Sequence, residues 1–181
     1  RSRNQSDREE LVDIINNSKS GSRDARLNLV KANMELEEWE TTKAMLSSAL
    51  NENPDDVEFN LLSGRVLMRT GDISESIENF RKSLEIEPDR TDIPIFLARS
   101  LRQNGRTIEA IETLDKLLEK HPNNMNALPL VANMSSSIED WNTCLSTWER
   151  IKQIDPDRPD SNFKIANCYL KLNRLEDAEE V

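Results

Sequence analysis

The sequence has few residues of several types, and each shortage excludes a class of structure or chemistry. It contains four glycines, seven prolines, two cysteines and one histidine in 181 residues, and aromatic side chains make up 4%. Because sheets draw on β-branched and aromatic residues, which are scarce here, a helical fold is expected. No apolar run approaches the roughly 18 residues that a membrane-spanning helix needs, so we expect no insertion into a membrane.

The net charge and the lack of catalytic or cofactor-binding motifs exclude further classes of function. The net charge is −10 and the sequence pI is about 4.8, so a phosphate backbone would repel the chain and nucleic acid is not an expected partner. The chain has no phosphate-binding loop, dinucleotide fingerprint, zinc-ligand spacing or nucleophile elbow. We therefore predict no catalytic residues, no metal and no cofactor in this segment. The spacing of Cys144 and Cys168 indicates neither a metal site nor a disulfide framework, which favours a reducing compartment such as the cytoplasm.

Four prolines reveal the organisation of the chain. They are 34 residues apart, and each follows a run with helical apolar spacing: Pro54, Pro88, Pro122 and Pro156. A proline just past a helix C-terminus is expected because it cannot continue the helix. A fixed period in this range is typical of a stacked array of helical hairpins.

With the proline placed at position 32 of each repeat, position 1 of the first repeat is residue 23. The repeats are then 23–56, 57–90, 91–124, 125–158 and a partial fifth at 159–181. Residues 1–22 are expected to form a capping helix or the remnant of a preceding repeat. Because a repeat buries its apolar face only against a neighbour, we expect the chain to continue in a longer protein. Assembly of a homo-oligomer through uncovered ends is a further hypothesis.

The aligned repeats share columns of similar residue size. Position 8 is small in four repeats, position 20 is small in all five, and position 24 is large. These columns read Gly64, Ala98, Ala132 and Ala166; Thr42, Ser76, Ala110, Cys144 and Ala178; and Leu46, Phe80, Leu114 and Trp148. Small residues let the two helices of a hairpin approach, and the large residue fills the space beside them. This pattern resembles the tetratricopeptide repeat (TPR) family, which implies an all-α fold, a right-handed superhelical solenoid of helix–turn–helix repeats.

The resemblance also implies a concave groove, lined by the first helices of successive repeats. Carried onto this sequence, the groove positions hold Lys31, Arg65, Arg99, Asn133 and Asn167 (position 9), Met68, Arg69, Arg102 and Lys171 (positions 12 and 13), and Leu61, Ile95 and Phe163 (position 5). Of the fifteen residues at positions 9, 12 and 13, six are basic and one is acidic. These cations either attract an acidic ligand or, at positions 12 and 13, offset the helix dipole. The apolar residues at position 5 either anchor a peptide or pack neighbouring first helices together.

These features predict a protein–protein interaction scaffold that binds a peptide or partner segment, acidic in character, in the groove. The alternative is the TPR region of a larger multidomain enzyme, such as a transferase, in which the repeats position a substrate or mediate oligomerisation. A column of acidic residues at position 2 is interpreted differently. Asp24, Glu58, Asp92 and Asp160 are predicted to cap helix N-termini and offset their dipoles, without a ligand role.

Overall fold

The computed structural model describes residues 22–181, and all regular secondary structure in this range is α-helical. The helices are α1 (Arg23–Glu35), α2 (Trp39–Glu52), α3 (Val57–Thr70), α4 (Ile73–Ile86), α5 (Asp92–Gln103), α6 (Thr107–Lys120), α7 (Leu128–Ser137), α8 (Trp141–Ile154), α9 (Ser161–Lys171) and α10 (Leu175–Glu179). The predicted all-α fold is confirmed. The helix predicted over residues 1–22 lies outside the described residues except for Ser22, whose hydroxyl accepts a hydrogen bond from the Ala25 N–H at 3.3 Å and caps α1.

Helix boundaries follow the 34-residue period. Each predicted repeat window contains two helices, and the second of them begins at position 17 in all five windows. The helices α2, α4, α6 and α8 all end at position 30, two residues before the repeat proline. The first helices are less uniform, because α7 begins only at position 4, where Leu128 precedes a proline at the start of the helix.

The turn inside each hairpin uses one conformation throughout. Position 15 is left-handed in every repeat, with φ between 60° and 95°: Glu37, Gly71, Gly105, Glu139 and Asn173. In each turn the N–H of position 16 donates to the carbonyl oxygen of position 11, at 2.8–3.0 Å. This six-residue closure satisfies the last carbonyls of the first helix. Glycine adopts a positive φ without steric cost, whereas Glu37, Glu139 and Asn173 adopt it here in turns closed by the same hydrogen bond.

The chain divides into two compact units, the first ending at Ile93 and the second beginning at Pro94. In the first unit, α1 packs against α2 and α3, and α3 packs against α2 and α4. Between these helices lies a cluster of buried apolar side chains: Leu27, Val30, Leu46, Ala49, Phe59, Leu62 and Val66. This cluster therefore joins both helices of the first hairpin to the first helix of the second.

The helices α3 and α4 approach closely at Gly64. A Cβ atom on Gly64 would lie 2.6–2.9 Å from three carbons of the Phe80 ring, closer than van der Waals contact allows. Beside this contact, the Ser76 hydroxyl donates a 2.9 Å hydrogen bond to the carbonyl oxygen of Gly64. This geometry confirms, for the second repeat, the predicted pairing of small residues at positions 8 and 20 with a large one at position 24.

The second unit repeats the arrangement, with α6 packed on α7, α7 on α8, α8 on α9, and α9 on α10. Trp148 occupies position 24 of the fourth repeat and is almost fully buried. Two cations lie over its ring: Arg158 Cζ is 5.7 Å and Lys164 Nζ is 5.9 Å from the ring centroid. A single tryptophan therefore contributes both apolar burial and cation–π contacts to this unit.

Ion pairs in the first unit hold the loop at the end of a repeat against the start of a first helix. The guanidinium of Arg23 donates to both carboxylate oxygens of Asp56, at 2.5 and 3.0 Å. That of Arg90 donates to Asp92 at 2.8 and 3.1 Å and to Glu58 at 2.5 Å. Such forked, charge-assisted bonds are among the stronger polar contacts in proteins. They fix the loop between one repeat and the next.

The capping role predicted for position 2 is wrong for three of its residues. Asp24 lies inside α1, which is capped by the serine two residues before it. The side chain that caps α3 is Asp56, at position 34, whereas Glu58 lies inside the helix and accepts from a junction arginine. Asp160 precedes α9 but makes no capping bond, and its carboxylate instead accepts from Arg158 at 2.8 Å. Sequence spacing correctly predicted carboxylates at helix starts. Glu58 and Asp160, however, accept hydrogen bonds from arginines at position 34 and do not cap the helices.

We expect Asp56 to make the stability of the chain sensitive to acid. The hydrogen bond from Arg23 lowers the pKa of its carboxyl below the ordinary value, and the Phe59 N–H at 3.2 Å adds to this against the opposing effect of burial. Because the folded pKa is the lower one, the stabilisation is complete above the unfolded carboxyl pKa of about 3.9 and disappears as pH falls through the folded value. At neutral pH, Asp56→Ala should lower the free energy of unfolding by about 1–2 kcal/mol, mainly through loss of the cap.

The matched variant is Asp56→Asn, which keeps an oxygen to accept from Phe59 N–H but removes the charge facing Arg23. Urea unfolding of the three proteins, followed by circular dichroism from neutral to acid pH, separates the cap from the ion pair. The difference between wild type and Asp56→Asn should shrink as pH falls. A difference that stays constant down to the acid limit would contradict the assignment.

Candidate functional site

In the first unit, the predicted groove residues lie on α1 and α3, which contact each other. Lys31 on α1 and Arg65 on α3 occupy the same repeat position, and both side chains are exposed. One helical turn further along, Met34 and Met68 are half-buried. Arg69 follows Met68 and is exposed. Two neighbouring helices therefore present cations next to partly accessible, polarisable apolar groups.

In the second unit, Arg99 and Arg102 lie one turn apart on α5 and are both exposed. The corresponding residues of α7 and α9 are polar and uncharged: Asn133 is exposed and Asn167 is half-buried. Lys171, at the end of α9, is exposed with its Nζ 5.7 Å from the ring centroid of Trp141. Of the predicted groove cations in this unit, two lie on α5, and the third, Lys171 on α9, is engaged by an aromatic ring.

Burial distinguishes the apolar residues at position 5. Leu61 is 4% exposed and Ile95 is 8% exposed, so neither is available as an anchor for a ligand, and packing between helices accounts for them. Phe163 on α9 is different, because 72% of it is exposed. Leu170, two turns further along the same face, is also exposed. The three apolar residues at position 5 therefore have two environments: Leu61 and Ile95 are buried, and Phe163 is exposed.

Some arginines form hydrogen bonds or ion pairs with other residues of the described chain, and others do not. Across residues 22–181, Arg23, Arg26, Arg81, Arg90, Arg106, Arg158 and Arg174 bind carboxylates, and Arg150 donates to the Pro122 carbonyl. For Arg69, Arg99 and Arg102 no hydrogen bond or ion pair occurs with any part of the chain that the structure describes. All three of these arginines are among the predicted groove residues. The sequence indicated their exposure but could not show that they lack internal partners.

A cleft, the metal-binding side chains and the helices of residues 22–181 bear on other kinds of site. A cleft of about 390 Å³ in the first unit is lined by polar and apolar side chains, among them Lys43 and Asp72, which bind each other at 2.8 Å. No group of three or more His, Cys, Asp and Glu side chains within residues 22–181 has the geometry to hold a metal ion. Over the same residues, no helix has the length and apolar character to cross a membrane.

One pair of residues was not expected from the sequence. The sulfur atoms of Cys144 and Cys168 lie 3.0 Å apart, and both side chains are buried. The repeat alignment contains the information needed to predict this contact, because the two cysteines occupy position 20 of one repeat and position 10 of the next. These positions meet where the second helix of a repeat packs against the first helix of its successor, here α8 against α9.

Several solved structures have the same architecture as this chain. No curated protein matches the sequence. Among solved structures, MamA residues 41 to the end from Desulfovibrio magneticus RS-1 matches with a TM-score of 0.74 at 15% identity, over 86% of this chain and 88% of that one. YrrB, described as a TPR protein with an unusual peptide-binding site, matches with a TM-score of 0.72 at 18% identity, over 96% and 89%. A TPR protein from Parabacteroides merdae ATCC 43184 gives 0.73 at 12% identity, over 96% and 68%.

At these identities the structural matches establish a shared fold, and the sequence itself supplies the family. The model of the cytochrome c-type biogenesis protein H TPR domain matches residues 21–161. This range includes the four complete repeats and all four repeat prolines. The chain therefore belongs to the TPR family represented by the TPR domain of cytochrome c-type biogenesis protein H.

Proposed function

We propose that the chain is a protein-interaction scaffold that binds an acidic segment of a partner polypeptide through the cations of its first helices. The observation that carries the proposal is that Arg69, Arg99 and Arg102 are exposed and have no bonding partner among residues 22–181, although the chain carries a net charge of −10. In a chain so rich in carboxylates, arginines without an internal partner are available to an external anion.

The chemistry of arginine favours a carboxylate ligand. The guanidinium is planar, stays charged, and presents a fork of N–H donors that matches the two oxygens of a carboxylate. Elsewhere in this chain the same geometry is used internally, as in the two bonds from Arg23 to Asp56. An acidic peptide bound to the second unit would make comparable bonds with Arg99 and Arg102. In the first unit, taken by itself, the half-buried Met34 and Met68 would offer apolar contact beside Lys31 and Arg69.

The comparisons support a polypeptide as the class of ligand. TPR folds present successive first helices as a surface for other proteins, and YrrB is described as having a peptide-binding site. The acidic character of the partner rests on the charges of this chain alone. The excess of negative charge outside the first helices would repel an acidic segment, so binding would be confined to the cationic faces.

The test uses fluorescein-labelled peptides in which Leu alternates with Glu, and peptides of the same length in which Gln replaces Glu. The Glu peptides should bind more tightly, and their affinity should fall as salt rises. The double variant Arg99→Glu/Arg102→Glu should weaken binding by about tenfold or more, because bonds to charged groups contribute about 1.5–3 kcal/mol each. Fluorescence anisotropy measures the affinities.

A matched control changes the same number of charges on another face of the same repeat. Lys116→Glu/Lys120→Glu lies on α6, and both side chains are exposed. This variant should bind the Glu peptides within about twofold of wild type, because surface charges away from the contact act only through the screened field. Circular dichroism verifies that both variants remain folded. Equal binding of Glu and Gln peptides, or equal losses in the two variants, would refute the proposed site.

A further inference from the structure

The two cysteines of the chain lie in contact although 24 residues separate them in sequence. Their sulfur atoms are 3.0 Å apart, about 1 Å beyond a disulfide bond of about 2.05 Å. Cys144 is 3% exposed and Cys168 is 1% exposed, and both are free thiols here. The chain has no third cysteine that could compete with this pairing.

The environment of the pair limits what the thiols can do. Cys144 lies on α8, at a position where other repeats carry Thr42, Ser76 and Ala110, and Cys168 lies on α9. No cluster of metal-binding side chains surrounds them within the described residues, so two sulfurs would be the only ligands of an ion. Burial and the hydrogen bond with Cys168 raise the pKa of the Cys144 thiol to about 12, which disfavours the nucleophilic thiolate in the folded chain.

We propose that Cys144 and Cys168 form an intramolecular disulfide when the chain folds in the presence of a disulfide oxidant. The bond would join the fourth repeat to the fifth by linking α8 to α9. This site goes beyond the proposed binding of acidic segments, because neither cysteine lies among the groove residues.

The reaction is a pair of thiol–disulfide exchanges. One cysteine thiolate attacks the oxidant disulfide, which gives a mixed disulfide and releases one oxidant thiol. The second cysteine then attacks its partner's sulfur, which forms the S–S bond and releases the second oxidant thiol. The cysteines lose two hydrogens and two electrons, and the oxidant gains them as two thiols. Because the folded thiols are buried, the first exchange occurs while the chain is still partly unfolded and its thiols are accessible.

The experiment unfolds the reduced 181-residue chain in urea and refolds it with or without a mixture of oxidised and reduced glutathione. Trypsin leaves Cys144 in fragment 121–150 and Cys168 in fragment 165–171, so mass spectrometry identifies the cross-linked pair. The cross-link closes a loop of 24 residues, so the oxidised chain should unfold at a urea concentration about 1 M or more above that of the reduced chain. Reductant should abolish the difference.

The control is Cys144→Ala, a mild change because alanine occupies this repeat position at Ala110 and Ala178. Its unfolding midpoint should be the same after refolding with and without glutathione. The comparison of oxidised with reduced wild type does not depend on this variant. Three results would overturn the proposal: both thiols still free in a refolded helical chain, mixed disulfides or cross-linked dimers as the only oxidised products, or an intramolecular bond that lowers the midpoint.

Discussion

Phe80→Ala should lower the free energy of unfolding by about 3–5 kcal/mol, the range for a fully buried aromatic truncated to alanine. The ring has no solvent exposure and fills the space that Gly64 leaves between α3 and α4. Its removal leaves a cavity, because the Ser76 hydrogen bond holds α4 against α3, and α3 is itself held by the buried cluster of the first unit. Urea unfolding followed by circular dichroism measures the loss. Phe80→Leu keeps much of the volume and should cost less than about 1.5 kcal/mol.

The same contact predicts that Gly64→Ala destabilises the wild-type chain but stabilises the Phe80→Ala variant. In wild type the new methyl group would overlap the Phe80 ring, so overpacking should destabilise the chain by about 1–3 kcal/mol. In the Phe80→Ala background that space is empty, and the higher helix propensity of alanine should stabilise it by up to about 1 kcal/mol. A double-mutant cycle measures this coupling. If the two substitutions proved additive, the packing of position 8 against position 24 would be wrong.

Trp148→Ala should cost the second unit about 3–5 kcal/mol by the same cavity mechanism. The tryptophan is almost fully buried, and its ring also receives Arg158 and Lys164. The cations should account for only about 0.5–1 kcal/mol each, because both reach the ring from partly exposed positions.

Two variants separate the contributions at Trp148. Trp148→Phe keeps an aromatic face and should lose clearly less stability than Trp148→Ala. Lys164→Met keeps the aliphatic stem and removes the charge, so its cost should stay near the cation–π value. Far-UV circular dichroism during urea unfolding is the measurement, since Trp148 is itself a fluorophore. A cost for Lys164→Met equal to that of Trp148→Ala would show that charge, and not burial, dominates this site.

Much of the fold could be predicted because one period repeats in the sequence. The prolines set the register, and the volumes at positions 8, 20 and 24 predicted the contact that Gly64 and Phe80 make. Backbone conformation was harder to predict. Glutamate disfavours positive φ, so nothing in the local sequence indicated that Glu37 and Glu139 adopt the same left-handed turn as Gly71. The hydrogen bond from position 16 to position 11 imposes it, and that bond depends on the whole hairpin.

The candidate site was predictable only in part, for a related reason. Helical spacing indicated that Arg99 and Arg102 share a face, but the absence of an internal partner depends on where every carboxylate lies. The same spacing could not decide whether Leu61 and Ile95 are exposed, since their burial is set by neighbouring helices. The contact between Cys144 and Cys168 depends on how one repeat packs against the next, and the spacing of residues within one repeat does not indicate it.

Within each of the two units, the packing of helices against the next one or two along the chain also bears on how the protein folds. Contacts between segments so near in sequence cost little loop-closure entropy, and chains dominated by them fold rapidly. Each of the four complete hairpins has its own turn and its own large residue at position 24, so it can form as soon as both of its helices are available. Folding can therefore proceed hairpin by hairpin while the chain is being synthesised, without waiting for distant parts of the sequence.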